Sequence, residues 1–437
     1  MGAYEIALVY PGQEGRPMIE EYYFRPQSQD RIRACWLAEP IERYVTSLHD
    51  QGYAARSIYH RVPLLMDFAT FAQARGANVW TDLVGQVQPF VEQRTRERLT
   101  RCRDERARKH LANEVRGPIE QMLHLVLPDF AQTGRARPLP FADEAPGFWA
   151  HLRDERGLRP ATLLSYREHL RHLEVYLREI EASSVRELSP AILSAFVTKC
   201  GERWGMSMVN GLCGVLRVFL RYLYREKLVS QNLGPTVEGP KKYRLSSIPR
   251  SISWPEVERM LAAVDRRCAV GKRDYAILLL LVTYGLRGRE VAALTLEDID
   301  WERERLRVPE RKAGHSTAYP LSPIVGEAIV DYLKHGRPKK ADRHVFYRVV
   351  APWEPMTSGG VSCRASYYLH KAGVAVPRPG SHTLRHTCVQ RLIDAHFSLK
   401  TIGDYVGHGT PESTAIYAKV SVENLRQVAL GDGEEVL

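Results

Sequence analysis

The chain has 437 residues, a formal net charge of +11 and a pI near 9.3, with 44% hydrophobic and 26% charged residues. That length calls for more than one domain, and the balance is that of a soluble globular protein. Its basic excess favours a polyanionic partner, since each neutralised phosphate releases counterions.

No apolar run approaches the roughly 20 residues of a membrane span. The start, "MGAYEIALVY", has neither a secretory pattern nor the Ser or Thr that myristoylation expects. Seven cysteines, scattered and without Cys-x-x-Cys spacing, argue against a disulfide framework and a zinc ribbon. A cytoplasmic, nucleoid-associated protein is expected.

In chain order, residues 1–35 hold "YEIALVYPGQEGRPMIEEYYF", which alternates enough for a hairpin around Pro11-Gly12. Residues 36–127 read as a helical domain, and 148–230 as another. With an offset of 105, Gly52 falls on Gly157, Ser57 on Thr162, Leu65 on Leu170, Phe71 on Tyr176, Asp82 on Glu187 and Leu83 on Leu188. So long a period fits a duplicated domain and not a solenoid; an unrelated bundle is the alternative. Inside the first copy, "RTRERLTRCRDERARKH" (94–110) sets eight Arg or Lys against Glu97, Asp104 and Glu105. It is either a solvated helix face or one that meets phosphates.

In the 148–230 segment, Leu163, Tyr166, Leu170, Leu173 and Leu177 recur at helical spacing, and "SPAILSAFVTKC" has a Ser-Pro helix start. Pro/Gly-rich linkers are expected at 128–147 and 231–250. The second is basic, with Lys241, Lys242, Arg244 and Arg250, and could follow a phosphate backbone.

A last domain, 251–420, opens with a capping box in "SWPEVERML", Ser253 at N-cap and Glu256 at N3. A buried helix over "RDYAILLLLVTY" should stop at Gly285. "RLRVPERKAGHSTAYPLS" reads as a hairpin, and helices resume in "PIVGEAIVDYLKHG", "GSHTLRHTCVQRLIDAH" and "SLKTIGDYVG". The expected class is mainly α with a small β-sheet. A tail, 421–437, follows; with the residues just before it, "AKVSVENLRQVAL" is amphipathic and docks either on a neighbouring protomer or on its own domain.

Three stretches share a chemical character: "YGLRGREV" (284–291), "RKAGH" (311–315), and "HTLRHT" (382–387) with "VGHGTPESTAIYAKV" (406–420). Arg287 and Arg385 are permanent cations whose forked donors match phosphate oxygens. Lys312 is a proton donor at a hairpin tip, His382 and His408 can donate to an oxyanion or exchange a proton, and Tyr417 offers a hydroxyl nucleophile. Singly, each has a bland alternative as a surface cation, a helix cap or packing.

Taken together, the ordered boxes resemble the tyrosine recombinase (phage integrase) family. "GLRGREV" is similar to its first arginine box, "HTLRHT" to its His-x-x-Arg box, and "VGH…IY" to its Gly-His box leading to the nucleophile. The resemblance covers roughly residues 250–420, and the 148–230 bundle resembles the family's core-binding domain. It implies a tyrosine-recombinase-like catalytic domain with Arg287, Lys312, His382, Arg385 and His408 as the pocket and Tyr417 as the attacking residue. Glu290 and His386 would support them, and Lys241, Lys242, Arg244 and Arg289 are candidate DNA contacts. Tyr284 and Arg289 depart from the usual Thr-Gly-Leu-Arg box and would alter the pocket wall.

No cofactor, metal or ATP is called for. His382 and His386 could hold zinc on one helix face, but zinc proteases place Glu directly after the first His, where Thr383 stands. The implied activity is site-specific recombination as an integrase or transposase of a mobile element. The implied partners are double-stranded DNA sites, a homotetramer on two DNA segments (with a monomer as an option for the free chain) and accessory proteins. A monomeric type IB topoisomerase, a telomere-resolving enzyme and a non-catalytic DNA-binding regulator are the alternatives. The first helical domain would touch the same duplex, bind separate accessory sites, or serve as a protein-contact module.

Overall fold

The computed structural model describes residues 17–100, 104–127, 130, 138–182, 184–241, 251–309 and 316–407. Its compact units are Met1–Phe130 with Ser247–Leu437, and Ala131–Ser246.

The first unit begins with α1 (Met18–Tyr22), α2 (Pro26–Arg33), α3 (Ala38–Asp50), α4 (Ala55–Ala74), α5 (Leu83–Leu99) and α6 (Glu105–Val126). Ile41, Tyr44, Leu65, Phe68 and Ile119 meet in its core. The hairpin expected around Pro11-Gly12 lies outside the described residues, apart from the end of its second arm. There Met18–Tyr22 is helical, held by Glu42 Oε1 and Oε2 accepting from the amides of Met18 and Ile19 at 2.5 and 3.3 Å. Those carboxylate bonds satisfy helix-start donors that a strand would present to a partner strand.

The second unit holds α7 (Phe148–Ala150), continued by a π-helical turn His151–Glu155, then α8 (Pro160–Glu179), α9 (Pro190–Arg203) and α10 (Met206–Arg225). Ser189 caps α9, its Oγ accepting from the Ile192 amide at 3.3 Å. Both stretches expected as linkers are partly folded. Phe141 and Ala145 enter this core from one side, Leu233 and Val237 from the other. Arg217 Nη2 donates to the Val237 carbonyl at 2.8 Å, and Asn210 Nδ2 to that of Pro240 at 3.0 Å. Pro and Gly break the helices here, but apolar residues between them still bury, so the bundle extends to Pro240.

The first unit resumes with α11 (Trp254–Ala262), α12 (Ala269–Tyr284) and α13 (Gly288–Ala292). An antiparallel sheet follows, β1 (Ile299–Asp300), β2 (Arg305–Val308) and β3 (Thr317–Pro320), in that order, with Leu306 opposite both Ile299 and Tyr319. Then come α14 (Pro323–His335), α15 (Ser358–Lys371), α16 (Ser381–Asp394) and α17 (Leu399–Val406). The Ser253–Glu256 capping box forms, the Ser253 amide donating to Glu256 Oε2 at 2.8 Å. Helix α12 is apolar on nearly every side because it is the centre of this core, and it stops where Gly285 turns left-handed, φ 60°. No described helix is long and apolar enough to cross a membrane.

The α3–α4 turn touches the later segment of the same unit, between α14 and α15. The Trp353 amide donates to the Gln51 carbonyl at 2.9 Å. Gly52, at φ 78°, lies so close to the Trp353 ring that a Cβ would stand 2.2 Å from it. Both the turn and the contact require glycine there.

Candidate active site

Two arginines that are 98 residues apart in sequence (385 − 287 = 98) grip consecutive carbonyls. Arg287, at the N-cap of α13, donates from Nη2 to the Gly407 carbonyl at 2.8 Å, and Arg385, in the second turn of α16, from Nη2 to the Val406 carbonyl at 2.7 Å. Arg385 also donates from Nη1 to the Gly285 carbonyl at 2.5 Å. These oxygens sit at the negative ends of α17 and α12, where a cation is favoured. Arg385 is buried; the Arg287 side chain keeps 17% of its surface.

Glu290 orients Arg287. Its Oε1 accepts from Arg287 Nη1 and its Oε2 from the Arg287 amide, each at 2.8 Å, which also caps the short α13. The carboxylate is buried. Close approach of α13 to α16 depends on Gly288, where a Cβ would lie 3.1 Å from Ser381 Oγ and 3.2 Å from the Ser358 carbonyl. The glycine is needed for its size, since its φ is ordinary.

His382 stands in the first turn of α16 and is exposed to solvent. The surrounding protein, then the Arg385 and Arg287 guanidiniums, hold its imidazole below the usual histidine range. It is therefore a neutral base at neutral pH. Its ring centroid is 6.5 Å from that of His386, which is half-buried. Among the described residues no cluster of three His, Cys, Asp or Glu could hold a metal.

An acid-side consequence follows. Unfolded, His382 titrates near 6.5, and folded it titrates lower. Stability from this group is complete above 6.5 and is lost as pH falls toward the folded value. The melting-temperature advantage of the parent over His382→Gln should shrink between pH 7 and 5.5; a constant gap would show an unshifted imidazole.

Family models match this architecture in two places: the phage integrase family over residues 250–424 and the phage integrase N-terminal SAM-like domain over 146–227. The putative integrase/recombinase y4rA of Sinorhizobium fredii is 37% identical over 281 residues, 64% of this chain and 68% of that one. The chain belongs to the phage integrase family. Tyrosine recombinase XerD of Pseudomonas putida is 30% identical over 280 residues, covering 63% of this integrase and 91% of XerD. Among solved structures, a lambda integrase(75-356) dimer bound to a COC′ core site aligns with a TM-score of 0.51 at 18% identity. That alignment covers 63% of this chain and 94% of the other, and it shows the shared fold. This integrase is thus a tyrosine recombinase, mainly helical with one small sheet.

Of the residues singled out in its sequence, the structure brings Arg287, Glu290, His382, Arg385 and His386 into one neighbourhood. Lys312, His408, Tyr417, Lys242 and Arg244 lie outside the described residues, as does the amphipathic tail. Lys241 is exposed at the end of the SAM-like bundle. Arg289 is half-buried, with Nη2 sheltered and lacking a hydrogen-bond partner among the described residues.

Sequence patterns missed the scaffold of this integrase's site. Tyr284 Oη donates to the Pro320 carbonyl at 3.0 Å and accepts from the Ser322 amide at 2.8 Å. Tyr319 Oη donates to the Tyr405 carbonyl, and Tyr405 Oη to the Thr283 carbonyl at 3.0 Å. With ring centroids 5.1 and 5.0 Å apart, the three tyrosines tie the end of α12, strand β3 and α17 together. Strand β3 pairs with β2, and Lys312 falls between the two strands in sequence. Asp274, fully buried, accepts from Arg273 Nη2 and Arg364 Nε at 2.7 Å each and joins α12 to α15.

Proposed function

We propose that this recombinase cleaves and rejoins DNA at specific sites as the integrase or transposase of a mobile element, through a 3′-phosphotyrosine link. The observation that carries the reading is the pair of guanidiniums on the Val406 and Gly407 carbonyls, immediately before His408, with a neutral His382 beside them. Arg287 keeps its Nε–H and the second hydrogens of both Nη groups without a partner among the described residues. Donors placed in advance stabilise charge that grows on non-bridging phosphate oxygens.

In the proposed step Tyr417 Oη forms a bond to phosphorus as the bond to the 5′-oxygen breaks. The phenol proton passes to His382, a base because its imidazole is neutral. The departing 5′-oxygen takes a proton from Lys312. The phosphodiester becomes a phosphotyrosine ester, and attack by a 5′-hydroxyl of another strand reverses the step without ATP. Arg289 and the 241–244 stretch would add backbone contacts. The chain acts as four protomers on two DNA segments, exchanging strands in pairs. The relatives' names support this assignment: y4rA is a putative integrase/recombinase, and XerD a tyrosine recombinase.

The test is to recover and sequence DNA covalently attached to the protein. Discrete target sequences and recombinant products support the reading; supercoil relaxation by single protomers without recombinants replaces it with a topoisomerase. For the acid, Lys312→Ala should be nearly inactive on ordinary DNA and recover on DNA whose bridging 5′-oxygen is sulfur, since a thiolate leaves unprotonated. Lack of recovery assigns the proton to another group.

A further inference from the structure

The geometry points to residues 37–123 as a second copy of the SAM-like module, and to its α5–α6 hairpin as a second DNA-backbone contact that the SAM-like copy lacks. Both family models leave this region unmatched. Yet its buried positions recur in the other bundle in three blocks. Leu37 and Tyr44 correspond to Phe141 and Phe148, 104 positions on (141 − 37 = 104). Leu65, Ala72 and Leu83 correspond to Leu170, Leu177 and Leu188, 105 on (170 − 65 = 105). The change of one falls at the π-helical turn His151–Glu155, which accommodates one extra residue.

Backbone details follow the same offset. Helices α4 and α8 each have 20 residues and begin and end 105 apart. The 3₁₀ turns Trp80–Asp82 and Val185–Glu187 match. Gly52 and Gly76, at φ 78° and 87°, correspond to Gly157 and Glu181, at φ 57° and 58°. Helical periodicity alone does not reproduce left-handed residues at both places.

After α5 the offset falls to 101 (Val115 to Leu216, Ile119 to Leu220), so the first copy carries four extra residues (105 − 101 = 4) between Leu83 and Val115, three of them in the connection of its last two helices (5 − 2 = 3). The second copy joins α9 to α10 through Trp204 and Gly205 alone, with Trp204 packed on His172, ring centroids 4.9 Å apart. In the first copy the junction is flanked by Arg96, Arg106, Arg108 and Lys109, all exposed. Arg98, Arg106 and His110 also line an open hollow of about 620 Å³.

Acids are present: Glu105 is exposed in the first turn of α6. Asp104 caps α6, accepting from the Ala107 amide at 2.6 Å, and Glu114 faces His110 at 3.5 Å. Arg106, Arg108 and Lys109 crowd the positive end of a 22-residue helix, where cations are unfavourable for the helix itself. An anion laid across them relieves that repulsion. Among the described residues, none of the large hydrophobic side chains exposed on this domain (Phe24, Tyr59 and Val79) is on the hairpin, so its described surface lacks the apolar anchors of a protein interface. A phosphate backbone fits this surface.

Identifying that backbone as DNA rests on the recombinase reading, and the experiment separates the two. Binding of the full chain to a fluorescein-labelled mixed-sequence duplex is titrated with salt, beside a variant with Arg96→Gln, Arg106→Gln, Arg108→Gln and Lys109→Gln. Losing four phosphate contacts should make the slope of log K against log salt shallower by about 3–4. The pair Arg106→Gln, Lys109→Gln should give about half of that. An unchanged slope in both variants overturns the inference, as does a change confined to self-association without DNA. Covalent adduct formation by the parent on a short target duplex, at protein concentrations that saturate the DNA, reports separately on the recombinase reading, whatever the salt slopes.

Discussion

A Tyr417→Phe chain should bind duplex DNA as the parent does and form no covalent adduct. The change removes one oxygen and keeps the ring, so only the proposed nucleophile is lost. No partial activity is expected, because a phenyl ring offers no lone pair for attack on phosphorus. Denaturing gels on a nicked suicide substrate measure it directly: the slow-migrating protein–DNA band should be absent, while mobility shifts under native conditions remain. A surviving adduct would place the nucleophile on another residue. The complementary experiment maps the peptide attached to the 3′-phosphate in the parent, which should contain Ala415, Ile416 and Tyr417.

Arg385→Lys should lower both activity and stability although the charge is kept. A planar fork lets one guanidinium serve the Gly285 and Val406 carbonyls together, and a single ammonium on a shorter reach cannot reproduce that spread. Two charge-assisted bonds to buried carbonyls are at stake, worth about 1.5–3 kcal/mol each. A loss of about 2–4 kcal/mol in unfolding free energy is expected, read from denaturant titration. Because the same bonds hold the ends of α12 and α17, the Arg287 and His408 stretches should shift with them. Removing one pre-placed donor from a charge-stabilising site costs about 10²–10³ in rate. Cleavage rates at saturating DNA should fall by at least that much. A variant that melts lower but cleaves at the parental rate would assign Arg385 to architecture alone.

Much of this site was legible before any fold was known. The arginine, histidine and tyrosine boxes stand in order along the chain, and Glu290 was marked by lying three residues after Arg287. Element boundaries in the catalytic domain also followed local chemistry: Ser253 and Glu256 cap α11, and Gly285 ends α12. What patterns did not disclose were partners far apart in sequence. Tyr284 looked like a departure from the arginine box, and in the structure its hydroxyl bridges to Pro320 and Ser322 at the end of β3. Asp274, in a helix that read simply as buried, is the anion between Arg273 and Arg364. Neither carries a local signature, because each is defined by what it meets.

The linkers show the same division. Pro and Gly announced breaks at 128–147 and 231–250, but Phe141, Leu233 and Val237 bury in the bundle, and burial is a property of the assembled core. By itself the chain's order of residues determined helix phase, caps, turn positions and the set of reactive groups, all governed by contacts within a few residues. Tertiary structure alone decided that Arg287 and Arg385 share neighbouring carbonyls, that His382 is held neutral beside them, and that Gly288 must be small. Those outcomes depend on desolvation and on distances between segments about a hundred residues apart, which only the packed chain specifies.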